Sequence, residues 1–258
     1  MLNTPYSLPY AVWVQPGLAQ GTHDVSVRVV MAAAATPADV RALHATVLPF
    51  LLTLDVGAWA GPAIPPWQST VEDWRDPWID ATAIEWTLRS ATCDPRAWVA
   101  LAQMLSIDHA RHPIARIEFA DARQPDELVE VQQGRSHLNP YPPHWSGIDF
   151  AMDLETELYD DFTVCVSFVR PLSNDEQARV REAFFAWAPG LIHGAWGVAP
   201  VPPNSCTGLP DPDPLFVDHE VEWIIRHFRA HTGAIEALVN VVAALSHEVV
   251  QVTGFRIE

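Results

Sequence analysis

Lysine is absent from this sequence of 258 residues, so all 15 of its basic residues are arginines. The 32 carboxylates outnumber them and leave a formal net charge of -17. A field of this sign repels nucleic acid and anionic lipid, which excludes both as expected partners. Two interpretations of the charge stay open: it keeps an apolar-rich chain in solution, or it steers the chain towards a basic protein.

Cysteine is also scarce, and Cys93, Cys165 and Cys206 form no CxxC pair. Their number and spacing fit neither a disulfide framework nor a zinc or redox site. No segment approaches the roughly 18 consecutive apolar residues of a membrane span, and the first residues do not resemble a secretory signal. The sequence therefore predicts a cytoplasmic protein that does not act on a membrane.

The short motifs of the common catalytic mechanisms are missing as well, including GxSxG, the P-loop, GxGxxG and HExxH. We therefore expect no cofactor. This absence does not exclude an enzyme that uses other residues.

What the sequence does contain is a repeat with a register of 137 residues, which sets Asp24 against Asp161 and runs without a gap to Arg89 against Arg226. Beyond Arg89, a shift of three residues aligns Arg116-Ile117-Glu118 with Arg256-Ile257-Glu258. Identical strings clustered in this way are hard to obtain by chance. The matched strings are Gly57-Ala58-Trp59 with Gly194-Ala195-Trp196, Pro65-Pro66 with Pro202-Pro203, Asp76-Pro77 with Asp213-Pro214, and Glu85-Trp86 with Glu222-Trp223.

The repeat predicts three regions: a first α+β repeat at 1–120, a connector at 121–136 and a second α+β repeat at 137–258. Each repeat shows the order strand, helix, strand, strand, helix, strand. Thr36 with Asp39, and Ser173 with Glu176, predict matching starts for the first helix of each half. The second strand is expected at the Gly-Ala-Trp string.

This order predicts an α+β fold made of two ferredoxin-like (βαββαβ) units in tandem. The stretches 10–14 and 148–152 indicate one extra strand before each unit. Because the first strand of a ferredoxin-like sheet is central, the extra strand must pair at a sheet edge or across to the other half.

A long connection at 61–80 combines three tryptophans with several carboxylates. Aromatic anchors ringed by acidic residues suit a basic protein partner, because tryptophan supplies contact energy and charge speeds encounter. The alternative is that the tryptophans fold back onto the core. The predicted partner-binding residues are Trp67, Glu72, Asp73, Trp74, Asp76 and Trp78.

Four polar residues recur on the predicted open face of the sheets: Glu85, Arg89, Glu222 and Arg226. One interpretation is cross-strand ion pairing that keeps a half-exposed sheet soluble. The other is that the two faces enclose a polar cleft between the repeats.

The histidines give little reason to expect a metal site. His109 and His112 are three apart and could share one face of a helical turn. The matching segment has only His247, and histidine is favoured at helix C-termini in any case. We expect no metal.

These patterns favour a non-catalytic intracellular binding protein that engages a basic protein partner, and an immunity or antitoxin-like inhibitor would be one instance. The alternative is an enzyme or small-molecule sensor with a polar site between the two repeats.

Overall fold

The computed structural model describes residues 7–19, 21–61, 64–75, 77–133, 148–154, 160–197 and 205–258. These residues form an α+β protein with two mixed sheets and four α-helices. Each sheet and the two helices beside it come from one half of the chain.

The first half contains seven strands and two helices in the described residues. Their bounds are β1 (Ala11–Val14), β2 (His23–Met31), α1 (Pro37–Asp55), β3 (Asp73–Trp74), β4 (Trp78–Asp80), β5 (Ala83–Ala91), α2 (Arg96–Leu105), β6 (Ile114–Asp121) and β7 (Val129–Glu130).

The second half follows the same sequence of elements up to its closing strand. The bounds are β8 (Ala151–Leu154), β9 (Phe162–Phe168), α3 (Asn174–Ile192), β10 (Leu209–Pro210), β11 (Leu215–Val217), β12 (Glu220–Arg226), α4 (Gly233–Glu248) and β13 (Val252–Ile257).

The strand order is equivalent in the two sheets. The first sheet runs β3-β5-β2-β6-β1-β7, with β4 also paired to β5, and the second runs β10-β12-β9-β13-β8, with β11 also paired to β12. The extra strands β1 and β8 pair in parallel with the closing strands β6 and β13. Each extra strand therefore extends its own sheet and does not cross to the other half.

Capping boxes start the first helix of each half, as predicted. The Asp39 N–H donates to Thr36 Oγ1 at 3.3 Å, and the Thr36 N–H donates to Asp39 Oδ2 at 2.8 Å. Ser173 and Glu176 make the same reciprocal pair at α3. Each box satisfies backbone N–H groups that have no partner within the helix, and both predicted starts are confirmed.

The Gly-Ala-Trp string is not a strand, so the prediction for the second strand is wrong. Gly57 has φ +81°, a left-handed conformation that ends α1, and the residues after it form a turn. The apolar residues of the string are buried where the two halves meet, with Trp59 against Trp196, which is why they resemble a strand core. On its edge away from β2, β5 pairs instead with β3 and β4, inside the connection predicted at 61–80.

The predicted three-residue shift in the closing strands is also wrong. Arg28 pairs in register with Glu118, and Cys165, which matches Arg28 in the repeat, pairs with Arg256. The position of Arg256 therefore corresponds to Glu118 and not to Arg116. The sequence match of Arg116-Ile117-Glu118 with Arg256-Ile257-Glu258 therefore differs from the structural register by two residues.

The two halves meet through their helices. The first helices α1 and α3 contact each other, and α4 contacts the short 3-10 helix Pro66–Gln68 of the first half. The indole rings of Trp59 and Trp196 stack with centroids 5.2 Å apart and an interplanar angle of 18°. Because the helices cover one face of each sheet and meet between the sheets, the other sheet faces lie on the outside of the molecule.

None of the helices in the described ranges is long and apolar enough to cross a membrane.

Candidate functional site

A cleft of about 390 Å³ opens between the two halves. The first half contributes the end of α1 and the short 3-10 helix Pro66–Gln68, and the second half contributes α3 and the end of α4. We call it the junction cleft. Its lining residues are Leu52, Asp55, Val56, Gly57, Pro66, Trp67, Ser69, Thr70, Arg179, Glu182, Ala183, Ala186, Val241, Ala244, Leu245, Glu248 and Val249.

Gly57 allows the three chain segments to meet at the base of this cleft. Apart from its left-handed φ, a Cβ atom at this position would lie 2.5 Å from the Pro66 carbonyl oxygen and 3.2 Å from the Ala244 Cβ. Only glycine permits both the backbone conformation and this approach. The glycine of the Gly-Ala-Trp string, which the two halves share, therefore permits close packing between the halves at this point.

One wall of the junction cleft is aromatic. The Trp67 indole stacks on the His247 ring, with centroids 4.4 Å apart and an interplanar angle of 20°. This contact joins the 3-10 helix of the first half to the end of α4 in the second. The floor is apolar and includes buried Ala183, Ala186 and Val241.

The polar lining of the cleft is mostly acidic. Asp55, Glu182 and Glu248 contribute carboxylates, and Arg179 contributes the one guanidinium among the lining residues that the structure describes. The Arg179 side chain lies 3.8 Å from the Glu248 carboxylate, and both side chains are about half exposed. An exposed pair of this kind is weak, so Glu248 can exchange Arg179 for another cation at small cost.

Asp55, at the end of α1, contacts the chain just after the 3-10 helix. Its Oδ1 accepts a hydrogen bond from Thr70 Oγ1 at 3.5 Å. Burial raises the pKa of the Asp55 carboxyl above its usual range, although hydrogen bonds from Thr70 and from the Val71 backbone oppose the rise. A cation that entered the cleft would favour the ionised form of this group.

The three tryptophans of the predicted binding loop lie in three different environments. Trp67 lines the junction cleft, Trp74 is partly buried against the core, and Trp78 is 60% exposed on strand β4. Glu72 is exposed just before β3, Asp73 is exposed at the start of β3, and Asp76 lies outside the described residues. Of the five predicted residues that the structure describes, only Trp67 lines the cleft.

The four polar residues predicted for an inter-repeat cleft lie on the two outer sheet faces. Glu85 accepts a hydrogen bond from Ser26 Oγ at 2.8 Å, and Arg226 pairs with Asp211 at 2.8 Å. Within the described part of the chain, no hydrogen bond or ion pair connects Glu85 or Arg89 to Glu222 or Arg226. The junction cleft is lined by other residues.

The histidines considered for metal binding make other contacts. His109 Nδ1 accepts from the Ile114 N–H at 3.1 Å, and His112 Nδ1 lies 2.6 Å from Asp39 Oδ1. In the ranges that the structure covers, no three His, Cys, Asp or Glu side chains are close enough to hold a metal ion.

Sequence reasoning missed the carboxylates of the junction cleft. Asp55, Glu182 and Glu248 come from three helices that are far apart in the chain, and none belongs to a local motif. The repeat offered no signal either, because Asp55 matches Ile192 and Glu182 matches Ala45. Only the packing of the helices brings the three together.

Comparisons with known proteins give no relative from which an activity could be transferred. No family model matches the sequence, and no curated protein matches it. Among solved structures, one neighbour is a DyP-type peroxidase from Cellulomonas bogoriensis, 14% identical, with 94% of this chain and 91% of that chain covered. The TM-score of 0.20 is too low to support an argument about fold or activity.

Proposed function

We propose that the chain is a tandem duplication of two ferredoxin-like units, each with one extra strand. The equivalent strand order of the two sheets supports this proposal, and so do backbone conformations that recur at the register of 137 residues. Ala81 and Asp218 both have positive φ, at 41° and 50°, and so do Ser90 and His227, at 49° and 53°. Side chains differ at these positions, so the shared conformation belongs to the fold of the unit.

We further propose that the protein is a non-catalytic intracellular binding protein that engages a basic protein partner through the junction cleft. An immunity or antitoxin-like inhibitor would act in this way. The observation that carries the proposal is an apolar cleft with three carboxylates, Asp55, Glu182 and Glu248, and a stacked tryptophan at its wall.

These features match an arginine side chain of the partner. The aliphatic stem would pack on the apolar floor, and the planar guanidinium would donate to Glu182 and Glu248 and stack on Trp67. Charge-assisted hydrogen bonds of this kind are stronger than neutral ones. The overall charge of -17 would speed the encounter with a basic partner.

A hexa-arginine peptide tests the proposal by isothermal titration calorimetry at low salt. We expect saturable binding that weakens as salt rises towards 0.15 M, the range in which the Debye length falls to about 8 Å. The double variant E182Q/E248Q should bind about tenfold more weakly, because it removes two negative charges that face the guanidinium in the cleft. W67A should also weaken binding.

The matched control is E127Q/E130Q, which removes two exposed carboxylates next to the far edge of the first sheet. It makes the same change in net charge away from the cleft and should bind as the unmodified protein does. Equal losses in both double variants would mean that general acidity causes the binding, and the cleft proposal would fail. It would also fail if hexa-citrulline, which lacks the charge, bound equally well.

A further inference from the structure

A second, smaller cavity lies at the junction of the halves. Its volume is about 30 Å³, and α2, α4 and the two Gly-Ala-Trp turns surround it. Its lining includes Ala58, Gln103, Ala195, Glu236 and Asn240. Gln103 and Asn240 are each 3% exposed, so their amides are removed from bulk water.

The two amides occupy matched positions of the repeat, since 103 and 240 differ by the same 137 residues. Backbone hydrogen bonds support this match at the start of both helices: the Ala97 N–H donates to the Asp94 carbonyl and the Ala234 N–H to the His231 carbonyl. Gln103 and Asn240 therefore lie at equivalent places on α2 and α4.

Their hydrogen bonds nevertheless differ. Asn240 Nδ2 donates to the Ala58 carbonyl of the opposite half at 3.4 Å. The matched acceptor for Gln103 would be the carbonyl of Ala195, but Gln103 Nε2 is buried and makes no hydrogen bond to any residue that the structure describes. A buried amide donor needs an acceptor, because burial removes it from solvent.

We propose that this cavity binds one or two water molecules and that Gln103 Nε2 donates to one of them. The volume fits, since a single water occupies at least about 10–15 Å³ of such a cavity. The chemistry fits too, because the lining includes Glu236 as well as the two amides, whereas cavities that stay dry have apolar walls. Asn240 thus joins the halves by a direct hydrogen bond from its side-chain amide to Ala58, and Gln103 joins them by a hydrogen bond through water.

A high-resolution crystal structure of the full chain tests the proposal directly. The expected result is ordered density in the cavity at hydrogen-bond distance from Gln103 Nε2. A cavity without such density, or a Gln103 amide that bonds directly to protein, would overturn it.

Water contacts in solution provide a second measurement. In the folded protein, the side-chain amide protons of Gln103 should show a nuclear Overhauser effect to a long-lived water. In the variant Q103M, which keeps the length of the side chain and removes the donor, the ordered density at this position should disappear. Retention of the same water in Q103M would show that Gln103 does not hold it.

Discussion

His231 and Asp94 occupy matched positions of the two halves, and each accepts a hydrogen bond at the start of a helix. Asp94 Oδ1 accepts from the Arg96 N–H at 2.9 Å, and His231 Nδ1 accepts from the Gly233 N–H at 3.0 Å. Because Nδ1 is an acceptor, His231 is neutral here. Burial, and then the nearby positive charge of Arg96, lower the pKa of His231 to about 4.

This lowered pKa predicts a dependence of stability on pH. The unfolded chain protonates His231 near pH 6.5, and the folded protein does so only near pH 4, so the unfolded state binds more protons between these values. The contribution to stability is therefore complete above about pH 6.5 and is lost as the pH falls towards 4. We expect about 2 kcal/mol of this loss between pH 6.5 and 4.5.

The variant H231N isolates the contribution, because the Asn side chain can still accept from the Gly233 N–H and does not titrate. Urea denaturation of both proteins across this pH range should give a smaller loss for H231N. His193, whose pKa burial also lowers, titrates in both proteins and so cancels in the comparison. If both proteins lost stability in parallel, burial of His231 would not be the cause.

At the scale of elements, the duplication provides its own comparison. The turns that join β4 to β5 and β11 to β12 each begin with a left-handed residue, Ala81 in the first half and Asp218 in the second. Asp and Asn tolerate this conformation better than Ala, because their short polar side chains can bond locally. The backbone of the β4–β5 turn is therefore strained at Ala81. The matched β11–β12 turn is less strained, because Asp218 occupies that position.

We predict that A81N raises the free energy of unfolding and that D218A lowers it, each by about 1 kcal/mol. Chemical denaturation measures both changes. D218N is the control, because it removes the charge and keeps a residue suited to positive φ, and it should stay close to the unmodified protein. A destabilising effect of A81N would contradict the account of strain at this turn.

Sequence patterns predicted the long elements and missed the short ones. The capping residues at Thr36 and Ser173 identified two helix starts because the signal lies within one helical turn. The strands β3 and β4 have two and three residues, which is too short for alternation to be recognised, so the sequence predicts a loop there. The Gly-Ala-Trp string was misassigned because its burial comes from the other half of the chain.

At the scale of the whole molecule, a buried ion pair connects the halves. Arg96 on α2 lies 2.7 Å from Glu236 on α4, and the Glu236 side chain is only 3% exposed. Arg96 also pairs with Asp94 at 2.8 Å and donates to the Ala60 carbonyl. If either Arg96 or Glu236 is removed, the charge of the other residue stays buried away from solvent.

Removal of both partners should therefore cost less than the two single removals added together. We predict that R96M lowers the free energy of unfolding by about 3–5 kcal/mol, and that R96M/E236M costs clearly less than the sum of the two single variants. R170M is the matched control: Arg170 pairs with Glu176 at 2.7 Å but is about half exposed, so its loss should cost far less than the loss of Arg96. Additive effects in the R96M/E236M cycle would mean that the pair is not coupled.

The sequence by itself determined the acidity of the chain, the register at which its strings recur, and the order of the main strands and helices. These properties depend on composition, on periodicity and on caps, which act within a few residues. Only the tertiary structure decided the place of the extra strands, the burial of Trp59 against Trp196 and the meeting of Asp55, Glu182 and Glu248 at one cleft. The physical reason is that these contacts join segments far apart in the chain, and the packing of the helices, which no local pattern encodes, brings them together.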